Sequence, residues 1–69
     1  MAAAYQIGMA ELASGNLEQA RLALERVVRK APKFAEAHAG LANVYLRMRR
    51  LDDAKRERDI AGALASSQQ

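Results

Sequence analysis

The sequence predicts an all-α protein that consists of two tandem helical hairpins. Apolar residues make up 51% of the 69 residues, and the chain contains one proline, four glycines and no cysteine. A chain of this length gains only about 3–5 kcal/mol from a single core, and without cysteine it has no disulfide or thiolate zinc site to add to that. An internal similarity at an offset of 34 residues is the second observation, and it is typical of stacked repeats.

The internal similarity extends along most of the chain and predicts two copies, at residues 1–34 and 35–69. Conservative pairs such as Ile7 with Leu41 and Gly8 with Ala42 occupy equivalent positions in the two copies. Identical residues recur in the pairs Ala3 and Ala37, Leu12 and Leu46, Leu17 and Leu51, Ala20 and Ala54, and Ala31 and Ala65.

Apolar spacing divides each copy into two helices, predicted at about residues 2–14, 17–31, 34–48 and 51–66. The first helix is apolar on more than one side, so it needs cover on two faces or a bound partner.

Local turn chemistry predicts where the helices end. Gly15 suits the left-handed conformation that closes a helix, and Asn16 is expected to cap the next helix, with Gln19 completing a capping box. Pro32 ends the second helix. In the second copy Arg49 stands in place of the turn glycine.

Several residues at these spacings resemble the tetratricopeptide repeat family, over essentially the whole chain. The first copy carries Ile7-Gly8, Ala20, Leu24 and Pro32, and the second carries Leu41-Ala42, Tyr45 and Ala54 after the run 34–38. The resemblance implies four antiparallel helices in a short right-handed superhelix. It also implies that the hairpins pack through Ile7, Gly8, Ala20, Leu24, Leu41, Ala42, Tyr45 and Ala54, with Gly8 and Ala42 facing Ala20 and Ala54.

The two ends of the repeat pair differ from each other. Leu24, Val27 and Val28 of the first copy are replaced by the polar or small residues Arg58, Ala61 and Gly62, which predicts a polar C-terminal cap with a short tail. The N-terminal face at residues 2–4 has no cap. The chain is therefore interpreted as the C-terminal end of a longer array or as a protein that self-associates through this N-terminal face.

The resemblance also implies a concave groove lined by the first helix of each copy. Asn43 and Arg47 lie one turn apart and suit a peptide backbone and a carboxylate, although a merely solvated pair is an equally weighted alternative. Tyr5 and Met9 replace the lysine and asparagine with which some family members grip a C-terminal carboxylate, so that clamp is absent. The expected groove residues are Ala2, Tyr5, Met9, Leu12, Glu36, Ala39, Asn43 and Arg47, bordered by Lys33 and Phe34.

These features favour a protein-interaction module that binds a peptide or a helix of a partner. The alternative is a structural unit that stacks in a longer solenoid or forms a homodimer. RNA binding through the cluster Arg47, Arg49, Arg50, Lys55, Arg56 and Arg58 is less favoured, because acidic residues are interleaved with it.

The sequence predicts neither catalysis nor a cofactor. It contains no glycine-rich phosphate loop, no histidines at metal-binding spacing and no nucleophile with a nearby base. His38, the one histidine, is expected to pack in the core. The net charge of +3 is spread over both copies, and no signal or membrane-spanning segment is visible, so a cytoplasmic protein is expected.

Overall fold

The computed structural model describes residues 2–67 of the chain, and the side chains of residues 3–67. It contains four helices: α1 (Ala2–Ala13), α2 (Leu17–Lys30), α3 (Ala35–Arg47) and α4 (Leu51–Ser67). All described regular structure is helical, which confirms the all-α prediction. Each helix begins and ends within one residue of its expected range. Helix α1 packs on α2, α3 packs on α4, and α2 joins the two hairpins by packing on α3.

The two hairpin turns have the same hydrogen bonds at positions 34 residues apart. The N–H of Gly15 donates to the carbonyl of Leu12, and the N–H of Arg49 donates to that of Leu46, both at 3.1 Å. Gly15 has a φ of 84° and Arg49 a φ of 64°, so both close their helix in the left-handed conformation. The expected conformation of Gly15 is confirmed, and Arg49 adopts it at a cost that glycine avoids.

The expected capping box at the start of α2 is wrong. Asn16 makes no side-chain hydrogen bond to the N-terminus of α2. Its Nδ2 instead donates to Glu11 Oε1 at 2.9 Å, which links the turn back to α1. The Asn16 side chain therefore bonds to the preceding helix and does not cap α2.

The core lies on both sides of α2 and is continuous between the hairpins. Leu24 on α2 and Val44 on α3 are fully buried, and Val44 was not singled out by the sequence analysis. Half-buried Tyr5 and Met9 pack against this core from α1. The buried residues of the cluster are Leu12, Ala20, Leu24, Leu41, Val44, Tyr45 and Ala54.

Among the expected hairpin-packing residues, Ile7 is wrongly assigned. Its side chain is 58% exposed, whereas its counterpart Leu41 is 1% exposed. Leu41 is covered because α2, the helix before α3, packs on it. Among residues 2–67 no helix precedes α1, so the equivalent side of α1 at Ile7 is left uncovered. Gly8 and the other six expected residues are buried. The closest approach at Gly8, however, is to Leu24: an added Cβ would lie 2.8 Å from Leu24 Cγ.

Candidate protein-binding surfaces

The α1 half of the expected groove forms the boundary between the two repeats. The Tyr5 ring lies 5.1 Å from the ring of Phe34, measured between centroids. Met9 approaches Gly40 so closely that a Cβ there would lie 2.9 Å from the Met9 sulfur. The expectation that Leu12 faces the groove is wrong, because Leu12 is 5% exposed and belongs to the core. The side chain of Ala2 lies outside the described residues.

The α3 half of the expected groove is open. Glu36, Ala39, Asn43 and Arg47 are all exposed, and their spacing of three to four residues places them on one side of α3. These four residues are called the α3 face. One Nη of Arg47 donates to the carbonyl of Leu12 at 3.2 Å, near the C-terminus of α1. Arg47 is therefore anchored at one nitrogen while its side chain remains exposed.

Leu46 is an exposed residue beside the α3 face that sequence reasoning missed. It is 56% exposed, although its counterpart Leu12 is 5% exposed. The two leucines are identical residues at equivalent positions of the repeat, but their environments differ. The difference arises because α3 lies against α1, while no helix among residues 2–67 occupies the corresponding place beside α3. Leu46 adds an apolar side chain directly before Arg47 and three residues after Asn43.

A second surface is a groove of about 460 Å³ between α3 and α4. Two charged residues, Glu36 and Arg58, border an otherwise small and apolar lining. This surface, called the α3–α4 groove, is lined by Ala35, Glu36, Ala39, Arg58, Ala61, Gly62 and Ala65. The expected polar cap is thus mainly small and apolar on this side of α4.

A polar contact fixes the boundary between the repeats. The Tyr45 hydroxyl donates to Glu25 Oε2 at 2.8 Å, and Arg21 Nη1 donates to the same oxygen at 2.9 Å. Arg50 places its guanidinium carbon 4.9 Å from the Tyr45 ring centroid, a distance at which the cation and the ring attract each other. Sequence reasoning predicted only that Tyr45 is buried, because the partner on α2 is distant in the chain.

This contact changes the acid–base behaviour of both partners. Burial, reinforced by the hydrogen bond to Glu25, raises the pKa of Tyr45 to about 12. Burial opposes ionisation of Glu25, but the hydrogen bonds from Tyr45 and Arg21 outweigh it and lower the pKa of Glu25 below its ordinary value. Glu25 is therefore held as a carboxylate at the seam between α2 and α3.

His38 has a structural role that includes more than packing. It is 7% exposed, its Nε2 donates to the carbonyl of Pro32 at 2.8 Å, and its Nδ1 lies 2.7 Å from Glu57 Oε1. Glu57 is itself 8% exposed. Both ring nitrogens are thus engaged within the fold. The pair links α3 to α4 and to the segment before α3.

Two residues of the basic cluster, Arg50 and Arg56, form ion pairs with acidic side chains. Asp53 lies 2.8 Å from Arg50 and 2.9 Å from Arg56, and Arg56 also approaches Glu57 at 3.7 Å. Phosphate recognition needs cations that are available to the ligand. These ion pairs support the interpretation of the cluster as a salt-bridged surface.

Within residues 2–67, no three carboxylate or imidazole side chains lie close enough together to hold a metal ion. None of the four described helices is long and apolar enough to cross a membrane.

The four described helices, in two hairpins, define a helical-repeat protein. A family model described as tetratricopeptide repeat matches residues 11–66, and the chain belongs to the tetratricopeptide repeat family. This is a non-catalytic scaffold family whose members are generally protein–protein interaction modules. Neither the curated proteins nor the solved structures compared with the chain gave a match.

Proposed function

We propose that the protein is a scaffold that binds an extended peptide or a helix of a partner on the α3 face. The observation that carries the proposal is the exposure of four side chains on one side of α3, within a hairpin whose other side is buried. A rigid helix presenting a row of exposed side chains suits partner recognition, because little ordering entropy is lost on binding.

The chemistry of the α3 face favours a partner with an accessible backbone and an acidic group. The amide of Asn43 both donates and accepts, so it matches the N–H and carbonyl groups of an extended peptide. The guanidinium of Arg47 is anchored by the Leu12 carbonyl, and its remaining N–H groups suit a carboxylate. Half-buried Tyr5 and Met9 provide an apolar border for a neighbouring side chain.

Peptide selection followed by affinity measurement tests this proposal. Peptides are selected from a displayed random library on the wild-type protein, and the affinity of the best peptide is measured by fluorescence anisotropy. The variant Asn43→Ala with Arg47→Glu is expected to lose at least tenfold in affinity, which corresponds to about 1.4 kcal/mol. Asn43→Ala alone, which keeps the bond between Arg47 and Leu12, is expected to show a smaller loss.

The matched control is Arg29→Glu, a charge reversal at an exposed position of α2 outside the α3 face. It is expected to keep wild-type affinity, and circular dichroism checks that all variants are helical. Equal affinities for the wild type and the double variant would show that the α3 face is not the binding surface.

A further inference from the structure

The α3–α4 groove has an occupied counterpart within the same chain. Its α4 residues Arg58, Ala61 and Gly62 are equivalent to Leu24, Val27 and Val28 of α2, and its α3 residue Ala39 is equivalent to Tyr5. In the first repeat these positions lie against α3 and the residue that precedes it: Leu24 lies against Gly40 of α3, and Tyr5 lies against Phe34. The groove between α1 and α2 is therefore filled by α3, which shows how a helix fits the groove equivalent to the α3–α4 groove.

Helix α1 has the same register as α3 and has the corresponding side uncovered. Ile7 of α1 is 58% exposed, whereas the equivalent Leu41 is 1% exposed. Residues Ala3, Gln6 and Ala10 are also exposed, and their equivalents Ala37, Gly40 and Val44 are buried. The chain thus carries both an open groove and a helix of the type that fills its counterpart.

We propose that α1 of a second copy of this chain occupies the α3–α4 groove, so that copies associate head to tail. In this contact α1 of the second copy packs on α4 of the first copy as α3 packs on α2 within the chain. Ile7 of the second copy then has the position relative to α4 that Leu41 has relative to α2. The exposed Ile7 side chain and the apolar lining of the groove are buried together by this one arrangement. The contact shares Glu36, Ala39 and Asn43 with the α3 face, so a second copy and a peptide compete for these residues. The proposal does not rest on peptide binding, because its basis is the groove and α1.

Polar substitutions in the groove and in α1 match each other. Where Leu24 and Met9 approach Gly40 within the chain, the contact between copies brings together Arg58, Asn43 and Gln6. All three positions are thus polar in the contact between copies and apolar or glycine within the chain. The Gln6 amide has an oxygen that accepts from Arg58 and an NH₂ group that donates to Asn43. This coordinated change supports α1 as the occupant. Because a Cβ at Gly40 would lie only 2.9 Å from the Met9 sulfur, the Cβ of Gln6 requires α1 to lie slightly farther from α3 and α4 of the first copy than α3 lies from α1 and α2 within the chain.

The same transfer also identifies an unfavourable pair. Tyr45 and Glu25 are equivalent to Glu11 and Asp59, so two carboxylates face each other between copies. Lys55, the equivalent of Arg21, lies one helical turn before Asp59 on the same side of α4, and its positive charge offsets part of this repulsion. The contact between copies is therefore weaker than the α2–α3 contact within the chain.

A head-to-tail contact leaves an unused groove at one end and an unused α1 at the other, so association continues beyond the dimer. Sedimentation velocity of the 69-residue chain over a concentration series is expected to show an average mass that rises with concentration past that of a dimer. Glu11→Lys, which pairs with Asp59, is expected to increase the average mass at every concentration.

Two blocking variants test the geometry of the contact. Ala61→Arg fills the groove and keeps α1 intact, and Ile7→Glu charges the inserted helix and keeps the groove intact. Each variant alone is expected to remain monomeric, and circular dichroism checks that each is folded. Their equimolar mixture is expected to form a one-to-one dimer that does not grow, since it has one intact groove and one intact α1 that fit each other.

Three outcomes would overturn the proposal. A wild type and Glu11→Lys variant that both stay monomeric would exclude association through this contact. Ala61→Arg with the mass of the wild type would show that the α3–α4 groove is not involved. A mixture of the two blocking variants that remains monomeric would indicate a symmetric contact, in which both copies use the same face.

Discussion

The hydroxyl of Tyr45 donates a 2.8 Å hydrogen bond to Glu25 and thereby ties α3 to α2 across the boundary between the repeats. The equivalent residues elsewhere in the chain are Glu11 and Asp59, so the repeat unit itself does not specify this bond. It exists at the one place where the two hairpins meet within the chain. The contact therefore stabilises the relative position of the hairpins.

Thermal stability is expected to fall as the pH drops below the ordinary carboxyl pKa of 4.5. The pKa of Glu25 is lower in the folded protein than in the unfolded chain, so the unfolded chain binds the proton more readily. The stabilisation from Glu25 is complete above the unfolded-state pKa and is lost as the pH falls through the folded-state pKa. Melting curves followed by circular dichroism across this window measure the effect.

The control for this prediction is Glu25→Gln, which removes the titrating group and keeps an acceptor for Tyr45. Its melting temperature is expected to change less with pH than that of the wild type. A residual slope is expected from Glu18, whose pKa is also lowered by its hydrogen bond with Arg21. Identical slopes for Glu25→Gln and the wild type would show that Glu25 is not responsible.

Replacing His38 by alanine is expected to destabilise the protein by about 3 kcal/mol, because it removes the hydrogen-bond partner of the buried Glu57 side chain and leaves only the 3.7 Å contact with Arg56. The double variant His38→Ala with Glu57→Ala is expected to lose less than His38→Ala alone. The first repeat provides the precedent, since it has Ala4 and Ala23 at the equivalent positions. Urea denaturation of both variants measures the coupling, and a double variant less stable than the single one would contradict it.

Arg49→Gly is expected to stabilise the protein by about 1 kcal/mol, because the left-handed backbone at this position strains a residue with a Cβ. Gly15→Ala, at the equivalent turn, is expected to destabilise it by a similar amount. Chemical denaturation compares the two substitutions directly. Effects of the same sign at the two positions would argue against backbone strain as the cause.

Two glycine-to-alanine substitutions are expected to act in opposite directions. At Gly8 the new Cβ would lie 2.8 Å from Cγ of Leu24, which is fully buried, so a loss of about 1–3 kcal/mol is expected. At Gly62 no atom lies within 4 Å of the new Cβ, so improved helix propensity is expected to add about 1 kcal/mol. Thermal denaturation tests both, and a Gly8→Ala protein as stable as the wild type would contradict the close packing.

Part of the candidate site was predictable from sequence and part was not. Glu36, Ala39, Asn43 and Arg47 share one exposed side of α3, as helical spacing requires once the helix is identified. Leu12 was placed in the groove by the same rule and is buried. The rule identifies which residues share a side of a helix, but it does not state what lies against that side.

By itself the sequence determined the elements of this protein. Helical spacing, the turn at Gly15 and the 34-residue similarity specify four helices in two hairpins, because these signals act over a few residues or between equivalent positions. They also carry the family resemblance. Turn chemistry was less reliable where two nearby partners compete for one side chain, as at Asn16, which bonds to Glu11 of the preceding helix and does not cap α2.

Only the tertiary structure decided which equivalent residues are buried and which long-range pairs form. Ile7 is exposed and Leu41 is buried, whereas Leu12 is buried and Leu46 is exposed. The physical reason is that burial depends on the neighbouring hairpin, and the two repeats have neighbours on opposite sides. The contact of Tyr45 with Glu25 follows from the same asymmetry, since it joins side chains that meet only when the hairpins pack.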